Sequence, residues 1–87
     1  MKFNDIYASR EHRFALGIEE TSGRCYLSIP VSNSLADYEE YYWIEQAQFD
    51  AWLQRPSAAL AMVSKCQNRQ MDHALIYPPG TNRGSAG

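Results

Sequence analysis

Phe14, Leu16 and Ile18 occupy every second position and alternate with Arg13, Ala15, Gly17 and Glu19, the period-two pattern of a strand with one buried face. A second alternation follows, with Cys25, Leu27, Ile29 and Val31 on one face and Tyr26, Ser28 and Pro30 on the other. Between them Thr21, Ser22, Gly23 and Arg24 have the composition of a hairpin loop in which Gly23 can take positive φ, so an antiparallel pair is predicted. Pro30 has no N–H to give to a ladder, which puts that part of the strand at a sheet edge or near the strand's end. Ser32, Asn33 and Ser34 read as loop. Glu40, Tyr41, Tyr42, Trp43 and Ile44 are rich in strand-favouring side chains and predict a third strand returning across the sheet.

From Glu45 the period lengthens. Phe49, Trp52 and Leu53 fall at i, i+3 and i+4 on one face of a short helix, which must stop near Arg55 because the residue before a proline avoids the α region. Pro56 suits the first turn of a new helix, predicted over 57–70 and favoured by Ala58, Ala59 and Ala61. At 100° per residue, Ala59, Leu60, Met62, Val63, Cys66 and Met71 share one arc, and Ser64, Lys65, Asn68 and Arg69 fill the other. Residues 73–77 read as a short final strand or an apolar strap across the sheet, ended by Pro78 and Pro79. The expected fold is α+β: a small antiparallel sheet of three or four strands with two consecutive C-terminal helices packed on one face.

A chain of 87 residues makes one domain, expected over 1–78. Residues 79–87, with little to bury, are expected to form a flexible tail. No long apolar run is present, so neither a signal peptide nor a membrane span is expected, and a cytoplasmic location follows. There Cys25 and Cys66, both in apolar runs, would remain reduced core residues.

Charge changes the picture through its placement. The net charge is −2, without the broad basic footprint that phosphate backbones require. Residues 37–50 carry five acids and no base, whereas residues 55–87 carry four bases and one acid. Lys65 and Arg69, with Asn68 beside them, provide the alternative of a small nucleic-acid-binding regulator. Two cations make so sparse a patch that nucleic acid is the weaker reading.

Candidate catalytic chemistry finds little support. His12, Cys25, Cys66 and His73 are separated by 12, 40 and 6 residues, without the close ligand pairs on which small zinc sites are built, so no metal is expected. Cys66 and His73, if helical, would lie about 10.5 Å apart along the axis, beyond proton-transfer reach. The adjacent pairs Glu19/Glu20 and Glu39/Glu40 would point to opposite faces of a strand and cannot converge on one substrate atom. The sequence therefore predicts no enzyme and no cofactor.

The stretch 37–52 is the most distinctive feature, with six aromatic rings and five carboxylates but no Lys or Arg. A sheet covered by helices on one side cannot hide both Tyr42/Ile44 and Tyr41/Trp43, which alternate across it. Two readings follow. Tyr38, Tyr41 and Trp43 could lie over the small residues Ala15 and Gly17, or they could form an exposed face. The second predicts a protein-binding surface of Asp37, Tyr38, Glu39, Glu40, Tyr41 and Trp43 that selects a basic partner, as an inhibitor or immunity-type protein would, or that joins two copies in a homodimer.

Overall fold

The structure is a computed structural model and describes residues 1–80 and 83–86. Four strands, β1 (Phe3–Ser9), β2 (Phe14–Glu19), β3 (Arg24–Ser32) and β4 (Asp37–Ile44), form one antiparallel sheet in sequential order. Helix α1 (Gln46–Gln54) follows, then a 3₁₀ turn (Pro56–Ala59), helix α2 (Leu60–Gln67) and a second 3₁₀ turn (Asp72–Ala74). The architecture is the expected α+β arrangement, with the helices gathered on one sheet face.

The two alternating segments pair as predicted, with Leu16 opposite Leu27 and Ile18 opposite Cys25. Gly23 takes the positive φ that closes their hairpin. Strand β4 begins at Asp37, three residues before the aromatic run that announced it. Strand β1 is the element that alternation did not reveal. A bulge between Asp5 and Tyr7 shifts the register, so Phe3 and Tyr7, an even number of positions apart, face opposite sides of the sheet. As an edge strand, β1 also buries little, with none of its residues fully buried, so no regular apolar face marks it in the sequence.

Pro30 lies within β3, an interior strand, but β2 has already ended beside it: the β2 ladder reaches only to Ala15 opposite Ser28. Ser32, two residues on, turns its N–H and C=O toward Ser85 rather than β4. Pro30 shares that parity, so its missing donor points past the end of β2, where no ladder bond is lost.

The core joins Phe14, Leu16, Leu27, Ile29, Tyr42 and Ile44 of the sheet to Phe49, Ala59, Met62, Val63 and Cys66 of the helical layer. Burying a side chain such as Leu16 or Leu27 contributes about 1.5–3 kcal/mol. Helix α1 starts where the Gln48 side chain accepts a 2.8 Å hydrogen bond from the Glu45 N–H, satisfying an amide that the helix leaves open. Helix α2 is shorter than predicted at both ends. Pro56 begins a tight 3₁₀ turn, and after Gln67 the chain closes with the Arg69 N–H on the Cys66 carbonyl and the Gln70 N–H on that of Lys65, with Arg69 at φ 59°. That is a Schellman stop made without glycine.

Residues 73–77 are a strap, not a full strand. Leu75 bridges Tyr42, and the Ile76 N–H donates to the Tyr41 carbonyl at 2.9 Å, sealing part of the outer edge of β4. Among the described residues no helix is long and apolar enough to cross a membrane.

Candidate protein-binding face

Strand alternation divides the six residues predicted to form one surface. Asp37, Glu39, Tyr41 and Trp43 point away from the helices, and Tyr38 and Glu40 point toward them, on the same side as Tyr42. The helix-free face is not a bare sheet, however. Its central positions, Ala15, Glu19, Tyr26 and Ser28, are all buried.

The cover is aromatic. The Tyr26 ring lies over Gly17, where a Cβ would collide with the Tyr26 hydroxyl and the Asn4 carbonyl. Phe3 from β1 and Tyr41 from β4, at opposite edges of the sheet, stack above it with centroids 3.8 Å apart and planes 11° from parallel. Each also meets the edge of Tyr26 at 5.2 Å. Three strand spacings amount to about 14 Å, so the edges must curl toward each other for these rings to touch. The space above Gly17 is thus filled chiefly by Tyr26, with Tyr41 on top and still half-buried. Trp43 is also half-buried, and the Arg24 guanidinium sits 4.1 Å from its ring centroid.

The charges on this side are mainly acidic near β1 and β4. Asp5 accepts a hydrogen bond from the Tyr26 hydroxyl, and Asp37 accepts one from Ser32 Oγ at 2.7 Å. Glu39 has its carboxyl held above the usual carboxylate range, first by partial burial and then by the neighbouring charge of Asp5, against the opposing pull of Arg13. Asp5, Arg13, Ala15, Pro30 and Glu39 line an open groove of about 350 Å³.

Glu40, expected on the acidic surface, is only 7% exposed and belongs to a different structure. It accepts the Tyr42 hydroxyl at 2.8 Å. Arg83 closes the site: its Nε and Nη2 donate to Glu40 at 2.7 and 3.2 Å, and its Nη1 and Nη2 donate to Asp72, each at 2.8 Å. These hydrogen bonds hold the Asp72 carboxyl low and the guanidinium's proton affinity high. Tyr38, on the same side, accepts the Gly84 N–H at 2.6 Å. Residues 83–86, part of the segment 79–87 expected to be a flexible tail, therefore have specific partners; residues 81, 82 and 87 lie outside the described residues. A composition-based reading missed these contacts because they are polar and backbone-mediated, apart from the packing of Ala86 on the core.

Lys65 and Arg69 do not share a helical face. Helix α2 ends at Gln67, and the Arg69 guanidinium donates to the Gly84 carbonyl at 3.2 Å. Both cysteines are buried free thiols. Burial, followed by the charges of Glu40 and Asp72, pushes the Cys66 thiol up to about 12. Among the described residues no group of three or more His, Cys, Asp or Glu could hold a metal ion.

Sequence reasoning assigned Tyr26 to the correct sheet face but did not make it part of the site. It missed Phe3 and Asp5 because the bulge concealed β1. Arg24 could have been found from the pairing of Tyr26 with Trp43, which places Arg24 diagonally beside the indole. Compared with protein-family models, curated proteins and solved structures, the chain matches none.

Proposed function

We propose that this chain is a non-catalytic protein-binding domain whose helix-free sheet face receives a basic segment of a partner, in the manner of a small inhibitor or immunity-type protein. The supporting observation is the juxtaposition of half-buried Tyr41 and Trp43 with Asp5, Asp37 and Glu39 on the sheet side without helices. Stacking on Phe3 holds Tyr41 in place, so little side-chain freedom is lost on contact. The carboxylates would steer a positive partner to these rings and make its association sensitive to salt.

The experiment is capture from native lysate, identification of the bound protein, and titration of the purified pair. Tyr41→Ala and Trp43→Ala should each weaken a direct complex by about 2 kcal/mol, the range of aromatic interface anchors. Glu39→Gln should mainly slow association and reduce its salt dependence. Complexes that bind all three variants as tightly as the parent would remove this face from consideration. The nucleic-acid alternative is less well supported, because Arg69 is engaged with Gly84 and away from Lys65's helix.

A further inference from the structure

Arg83, Gly84, Ser85 and Ala86 lie against the helix side of the β3–β4 end as a peptide lies in a receptor. The arginine donates four charge-assisted bonds to Glu40 and Asp72, using both oxygens of each carboxylate. Such a double fork matches the planar guanidinium and would be poorly reproduced by a lysine ammonium. Glu40 is buried and would lose its charged partner if the arginine left.

The next residue is read by the backbone. The Gly84 N–H reaches Tyr38 Oη, and its carbonyl accepts from Arg69 Nη2. A Cβ on Gly84 would come within 2.5 Å of the Ser32 carbonyl oxygen, so only glycine fits against that backbone. Ser85 then exchanges two bonds with Ser32, at 3.1 and 2.9 Å. This is one rung of added strand on the stretch of β3 that β2 leaves unpaired.

We propose that Tyr38, Glu40, Arg69, Asp72 and the Ser32 backbone form a recognition site for an arginine-glycine peptide segment, which this chain fills with its own residues 83–86 and which a partner protein's arginine-glycine segment can occupy in their place. The covalent connection makes the resident segment a strong competitor. Being part of the same chain, the resident segment competes at an effective concentration of about millimolar, so a free peptide binds measurably only when the resident arginine is disabled. This site lies on the opposite side of β4 from the aromatic face and does not depend on that face's function.

The test uses the full chain with Arg83→Ala and the probe acetyl-Asn-Arg-Gly-Ser-Ala-amide, followed by amide chemical shifts. The expected result is saturable binding with shifts centred on Ser32, Glu40 and Arg69, and no binding to the parent chain at the same peptide concentration. Lysine in place of the peptide's arginine should weaken binding at least about tenfold, and alanine in place of its glycine should abolish it. Gly84→Ala provides a second route to an emptied site, should Arg83→Ala not fold. A folded variant that leaves the probe unbound, or that accepts the alanine peptide equally well, overturns the proposal. Failure of both variants to fold also overturns it, because residues 83–86 would then be an obligate part of the core. Dimerisation of the parent chain that Arg83→Ala removes would make a second copy the donor and overturn the assignment to a partner protein.

Discussion

Glu19 shows how one buried carboxylate can organise a turn. It is 1% exposed and accepts the backbone N–H groups of Lys2 at 2.9 Å and of Thr21 and Ser22 at 2.8 Å each, tying the start of β1 to the hairpin between β2 and β3. The Lys2 amide foremost, with the Ser22 and Thr21 bonds and against the cost of burial, lowers its pKa from 4.5 to about 2. The folded state therefore favours the ionised form. Its contribution is fully present above the unfolded value of 4.5 and disappears as pH falls through the folded value. Urea midpoints measured across this acid window should fall more steeply for the parent chain than for Glu19→Gln; parallel curves would show that Glu19 is not the group responsible. In the sequence, the residue appeared only as half of an adjacent acidic pair. The structure buries Glu19 at the end of β2 and leaves Glu20 exposed in the turn that follows, outside any strand.

At the scale of elements, strand boundaries were legible wherever one face was uniformly apolar, as in β2 and β3. They were not legible where the period broke. The bulge in β1 interrupts alternation, and the Schellman stop after α2 depends on Arg69 adopting a left-handed conformation that its side chain does not advertise. Pro30 is the opposite case, a local signal that was correct once the neighbouring strand's length was known. Because its missing N–H faces no ladder partner, Pro30→Thr should cost no more than about 1 kcal/mol, the usual effect of greater freedom in the unfolded chain. Chemical denaturation can measure this directly. A loss of several kcal/mol would mean that proline rigidity, or a contact of its ring, holds the end of β3.

Across the whole molecule, the aromatic rings are divided between two clusters, one beneath the helices and one on the far side of the sheet. Tyr42 and Phe49 enter the first, and Phe3, Tyr26 and Tyr41 build the second. Both thiols lie on the helix side. Cys25 is pushed above its usual value by burial and then by Asp50, and Cys66 is raised further. Thiolate is the reactive form, so iodoacetamide should label neither cysteine in the native chain near neutral pH and should label both rapidly in denaturant. Native labelling of Cys66 as fast as that of an unfolded peptide would contradict its placement and reopen a thiol-based activity.

Period, turn composition and proline positions determined by themselves that this chain makes an antiparallel sheet followed by two helical segments, because those signals arise from backbone sterics and from which face must leave water. They also determined that Tyr41 and Trp43 lie opposite Tyr42 and Ile44. Only the tertiary structure decided that Glu40 is neutralised by Arg83, that Tyr26 closes over Gly17, and that Phe3 reaches Tyr41 across the sheet. Each joins residues distant in sequence through sheet curvature or a returning segment, and no local pattern encodes where such a segment returns.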